Sequence, residues 1–262
     1  MEKLEDKSNM LPFLSHLESL RWHIVRSIIS IFIGAIFAFL NKSFIFDKII
    51  FACKENDFPT YTFLCNLSDS LCIKDMPFIL MNVEMAGQFK MHIMVSFVVG
   101  FIMAFPYLIF EIWRFISPAL HSHEKLYSIL VFCFSIILFA IGVLFGYFII
   151  IPFSINFLSN YIISGSIENN IHFISFIKTV STIIITSGIL FQLPVFIYFL
   201  TKFNFVNSQQ LKQYRRHAFV SILLVASVLT PPDIFSQILI AVPIVILYEF
   251  SIFISFLTLR SE

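Results

Sequence analysis

From about residue 24 onward the chain alternates long apolar runs with polar joints, and the runs are too long for strands. A helix that crosses about 30 Å of hydrocarbon needs about 20 residues, with about 17 as the lower limit. Residues 24–40 (IVRSIISIFIGAIFAFL), 91–110, 126–151 and 179–201 meet that length and predict four transmembrane helices. Arg26, near the start of the first, can reach back to the headgroups. The last apolar stretch, 218–259, is interrupted at LTPPD. Pro231 and Pro232 lack amide donors and stop a helix near Leu229 or Thr230. Asp233 is the one charged side chain between Ala218 and Tyr248 and is placed to cap the helix that follows. The pattern therefore predicts an all-α integral membrane protein with six transmembrane helices, the fifth and sixth short. Residues 218–230 reach only about 20 Å at about 1.5 Å per residue, so the bilayer thins there or the turn lies below its surface.

The joints fill in the organisation. Leu11, Leu14, Leu17 and Leu20 recur at three-residue spacing and predict an amphipathic helix over 9–22. Residues 41–90 form a long loop with no run able to span, and 77–89 (PFILMNVEMAGQF) predict a helix leading into the second span. With six spans, eleven basic residues fall on the side of the termini: Lys3, Lys7, Arg21, Arg26, Arg114, Lys125, Lys202, Lys212, Arg215, Arg216 and Arg260. The other six, Lys42, Lys48, Lys54, Lys74, Lys90 and Lys178, fall opposite. The positive-inside rule then makes both termini cytoplasmic. The expected layout is a single six-span membrane domain over 1–262, with 1–22 a cytoplasmic amphipathic segment and 41–90 extracytoplasmic.

Composition agrees: 58% of the 262 residues are hydrophobic and 13% charged, and mean hydropathy is +0.91. Soluble chains carry about 25% charged residues. The net charge of +1 and the lack of a dense basic face argue against a nucleic-acid partner. The polar first 22 residues show no cleavable signal pattern. Cys53, Cys65 and Cys72 share the long loop, Cys133 lies in an apolar run, and no ligand histidines accompany them, so no metal or cofactor site is expected. Cys65 and Cys72 are close enough in sequence, on an oxidising side, to predict a disulfide. No phosphate loop, His-Glu-x-x-His or acid and base pair points to an enzyme.

Few polar residues interrupt the spans. Gln192, in FQLP, is placed to bond backbone groups freed by Pro194, and Gln237, one turn after Asp233, to bond between helices. Asp233 and Glu249 stand out as acids at opposite ends of one span. Together with Gln192 and Gln237, Asp233 could instead line the polar cavity of a secondary transporter for a small solute.

One combination is specific. HLESLR before the first span, WRFISPALHSHEK after the second, LFGYF to IPF at the end of the third, FQLP in the fourth and LTPPDIFSQ between the fifth and sixth resemble the TatC family. TatC is the six-span core subunit of the twin-arginine protein translocase of the bacterial cytoplasmic membrane. The resemblance implies a receptor that recognises the paired arginines of signal peptides on folded cargo. It also implies recruitment of single-span TatA/TatB-type subunits, assembly of several copies in a larger complex, and transport driven by the proton-motive force. By motif, Glu124 would contact the signal arginines, and Arg21 and Phe115 would share its cytoplasmic surface. Gln192 would occupy the intramembrane polar site, with Asp233 and Gln237 where partner helices dock. Two positions depart from the family pattern. Glu18 stands one place before the usual acid, where this chain has Ser19, and Gln192 replaces a common Glu. Glu18 is then free to pair with Arg21, three residues on.

Overall fold

The apolar runs fold as long helices in a computed structural model that describes residues 2–55, 57–67, 78–117, 124–161, 170–229 and 234–260. Side chains are described within 18–66, 78–117, 129–161, 170–227 and 237–257, residue 56 apart. Helix α1 (Glu2–Leu40) joins the amphipathic segment and the first span without a break. Irregular helical turns over 44–54 and α2 (Pro59–Leu67) follow, then strand β1 (Ile79–Met81) and α3 (Gly87–Ile116). Next come α4 (Glu124–Phe145), a π-helical segment Gly146–Ile150, and α5 (Ile151–Asn160). Strand β2 (Asn170–His172) precedes α6 (Phe173–Leu190), α7 (Leu193–Lys202), α8 (Ser208–Gln213), α9 (Arg215–Leu229) and α10 (Ile234–Arg260).

Among the described residues five stretches are long and apolar enough to cross a membrane: Glu18–Leu40, Gly87–Ile116, Ile129–Asn160, Phe173–Lys202 and Gln237–Leu257, so the sixth predicted helix, expected to be short, is instead the 27-residue α10, because no break follows Pro243 inside it. Their outward side chains are apolar too, Ile33, Ile36 and Leu40 being more than half exposed, which suits lipid as the surrounding solvent. Helix α9, with 15 residues, spans only about 22 Å.

Two corrections concern local structure. The expected helix over 77–89 is instead strand β1, a turn, and the start of α3 at Gly87. Ile79, Leu80 and Met81 pair in parallel with Asn170, Ile171 and His172, so the otherwise helical chain has a small ladder between two loops. The fourth span is two helices, because Pro194 has no amide to donate, and Phe191 and Gln192 form a turn between α6 and α7.

The chain divides into two compact units. In the first, Met1–Leu40 and Ser96–Ile136, α1 runs antiparallel to the later part of α3, with Gly34 against Gly100 and His23 against Glu111. The second holds Asn41–Val95 and Ile137–Glu262. There α6 meets the end of α4 and the π-helical segment closely: Ser187 Oγ donates to the Gly142 carbonyl of α4 at 2.8 Å, and a Cβ at Gly146 would stand 2.1 Å from Ser187 Oγ. In the long loop, Tyr61 donates to the Cys53 carbonyl at 2.9 Å. Burial pushes the Cys53 thiol up to about 12, so it stays protonated near neutrality, and raises Tyr61 as well. Cys53 and Cys133 carry free thiols, while Cys65 is disulfide-bonded; its expected partner, Cys72, lies outside the described residues.

Candidate functional site

In the first unit, α1 presents Glu18, Ser19 and Arg21 at an exposed end of its apolar run. Among the described residues no ion pair joins Glu18 to Arg21, so the expected local pair does not form. Both side chains are open to a ligand instead. Phe115, near the end of α3, comes to the same helix end through His23, whose ring meets it edge-on at 5.9 Å.

His23 is held from the other side by a residue that the sequence reasoning passed over. Glu111 is only 1% exposed, in the last turns of α3. One carboxylate oxygen bonds His23 Nδ1 and the other accepts from the Tyr107 hydroxyl at 2.7 Å. Arg26 and Arg114 lie in the same unit and bring positive charge to this end of it. A buried carboxylate needs both oxygens satisfied, and this one has a partner on each helix. The chemistry is that of a clamp: Glu111 fixes the His23 ring, and the ring fixes the face that Phe115 offers. Tyr107 and Glu111 stand four apart, one turn of a helix, inside an apolar segment, which was the readable signal.

The backbone of α4 begins at Glu124, but the Glu124 side chain and residues 118–123 lie outside the described residues.

In the second unit, α9 and α10 form an antiparallel pair. Gln237 Nε2 donates to the Leu223 carbonyl at 3.1 Å, the interhelical bond expected of it. Arg215 donates to Glu249 at 2.6 Å, about two turns back along α9 and about three turns on along α10. Only residues 230–233 separate α9 from α10, and Asp233 lies among them, outside the described residues, immediately before α10 begins at Ile234. Gln192 occupies the turn before α7: its carbonyl accepts from Phe196 at 3.0 Å, and its side chain does not cap α7. Gln192 and Gln237 thus share a unit, and Glu18, Ser19, Arg21 and Phe115 share the other. No group of three or more histidines, cysteines or acids able to hold a metal occurs among the described residues.

The sequence model of the family described as Sec-independent protein translocase protein (TatC) matches residues 15–243. A Sec-independent protein translocase protein TatC of Blattabacterium sp. subsp. Periplaneta americana is 39% identical, over 97% of this chain and 98% of that protein. The TatC of Aquifex aeolicus is 32% identical, over 96% and 98%. Among solved structures, the crystal structure of the twin arginine translocase receptor TatC superposes with a TM-score of 0.74 at 30% identity, covering 94% of this chain and all of that one. Agreement of this extent in sequence and in fold leaves one conclusion: the chain belongs to the TatC family of Sec-independent protein translocase proteins.

Proposed function

We propose that this chain is the twin-arginine signal receptor and core subunit of its translocase, crossing the bacterial cytoplasmic membrane six times with both termini in the cytoplasm. The observation that carries the reading is the exposed set Glu18, Ser19 and Arg21 beside the His23 and Phe115 ring pair, in a chain whose fold matches a twin arginine translocase receptor. Guanidinium groups pair with carboxylates through two charge-assisted bonds, and aromatic rings accept the flat face of the same group. Glu124 supplies the main carboxylate, and Glu18, without an ion-pair partner on its own helix, supplies the second in place of Ser19. Single-span TatA/TatB-type subunits dock at the α9 and α10 hairpin, where Gln237, Asp233 and, in the turn before α7, Gln192 provide polar groups. The complex contains more than one copy of the chain and moves folded cargo with the proton-motive force.

The test is the affinity of a twin-arginine peptide, and of its twin-lysine counterpart, for the purified chain at fixed salt. A charge-assisted bond is worth about 1.5–3 kcal/mol, so Glu124→Gln is expected to weaken the arginine peptide on the order of 10- to 100-fold. Glu18→Gln weakens it less, and Ser19→Glu leaves it unchanged or tighter. Normal binding by Glu124→Gln with loss in Glu18→Gln would transfer the receptor role to the shifted acid.

A further inference from the structure

The second unit contains a half-open cleft of about 490 Å³ that the translocase reading does not use. Its position is set by three span ends. Lys42 lies two residues beyond the span that ends at Leu40, Gln88 and His92 lie in the first turns of the span that begins at Gly87, and Phe173 opens the span Phe173–Lys202. A cleft built where three spans end lies at a membrane surface, level with lipid headgroups.

Its lining has two characters. Aromatic rings make a continuous wall: His92 meets Phe46 at 5.8 Å, Phe46 meets Phe51 at 6.1 Å, and Phe51 meets Phe173 at 6.3 Å. Against that wall stand one cation, Lys42, and one anion, Asp47, both exposed. Among the described residues neither takes part in an ion pair. Ser43 and Gln88 add neutral donors. Volume and apolar lining fall in the range of sites for small molecules, about 300–1,000 Å³.

We infer that this cleft binds one phospholipid whose headgroup carries a phosphate and a primary ammonium, the chemistry of phosphatidylethanolamine. Lys42 pairs with the phosphate, Asp47 accepts hydrogen bonds from the ammonium, and the aromatic wall receives the glycerol and the first acyl carbons. Charge complementarity selects among lipids. An anionic headgroup would bring its phosphate to Lys42 but leave Asp47 facing neutral or negative groups. A choline headgroup carries the positive charge but has no N–H to donate.

The full-length chain, purified in detergent and exchanged into mixed micelles, can be examined by native mass spectrometry. Equal amounts of phosphatidylethanolamine, phosphatidylcholine and phosphatidylglycerol with identical acyl chains would compete in one sample. The expected result is one retained lipid, with ethanolamine favoured several-fold over the other two. Lys42→Gln should lower retention of both zwitterionic lipids about tenfold. Asp47→Asn should erase the preference for ethanolamine over choline, while Lys48→Gln, an exposed lysine outside the cleft, changes nothing. Equal retention of the three headgroups by the parent chain, a preference for glycerol, or indifference to both cleft substitutions would overturn the assignment. The competition in the parent needs no variant, so a folding defect cannot obscure it.

Discussion

Glu111 shows what a single residue does in the first unit. A carboxylate among apolar helices survives because His23 and Tyr107 engage both its oxygens, so its removal strands a donor on α1. Leaving a buried donor unmet costs about 1–3 kcal/mol. Glu111→Leu is therefore expected to lower the melting temperature of the purified chain in detergent, while Glu111→Gln, which keeps an acceptor for one partner, lowers it less. A melting temperature unchanged by Glu111→Leu would show that His23 finds another acceptor. Motif and position name the binding candidates Glu18, Ser19, Arg21 and Phe115, and all four lie at one end of the first unit's helices. The clamp beneath them was legible only in its Tyr107 and Glu111 half. The second span was drawn to end at residue 110, one place before the acid, and His23 is brought to Glu111 by tertiary packing across 88 positions that no local spacing encodes.

The next scale is the contact between α1 and α3. Gly34 and Gly100 face each other where the backbones approach most closely, since a Cβ on Gly100 would lie 2.5 Å from the amide nitrogen of Ala35 and 2.9 Å from the Ile31 carbonyl. Helices in lipid associate through such close packing of small residues, because apolar side chains gain little by leaving apolar solvent. Backbone atoms cannot rotate away, so Gly100→Ala must push the helices apart. Overpacking of this kind costs about 1–3 kcal/mol. A melt in detergent should find Gly100→Ala destabilised, and more so than Gly34→Ala, whose Cβ would meet the Gly100 carbonyl oxygen at 2.9 Å. Equal stability of both variants and the parent would remove the close approach from the account of this contact. Element by element, length and apolarity sufficed for the four long spans, whereas the break between α6 and α7 escaped because Pro194 can also be carried inside a continuous span. Strands β1 and β2 escaped because each has three residues and finds its partner about 90 positions away. The π-helical segment escaped because hydropathy is blind to whether a helix closes at i+4 or i+5.

For the whole molecule, the number of crossings decides on which side each end of the chain lies. Among the described residues five helices are long enough to span, and an odd count would put the termini on opposite sides. On the proposed reading helix α9 makes the sixth crossing. Its pairing with α10 is antiparallel, from Gln237 with Leu223 near the turn to Glu249 with Arg215 at the start of α9, and α10, with 27 residues, runs on past the depth that the 15 residues of α9 reach. That depth, about 22 Å, falls short of about 30 Å of hydrocarbon. A hairpin of this depth can still complete a crossing if the bilayer thins around it, at a cost of fractions of a kcal/mol per Å. Charge favours that outcome: Lys212 precedes α9, Arg215 and Arg216 open it and Arg260 ends α10, so basic groups gather at one end of the hairpin and none of the residues 218–259 is Lys or Arg. The proposed reading therefore has six crossings, with both termini on the basic side. Single cysteines placed at Ser8 and Ser261, each in a background without the four native cysteines, can be treated with a membrane-impermeant maleimide in intact cells and in inverted vesicles. Both positions should be protected in cells and labelled in inverted vesicles. Labelling of Ser261→Cys in intact cells with Ser8→Cys protected would make the count five, and α9 would then be a re-entrant arm that enters and leaves by the same face.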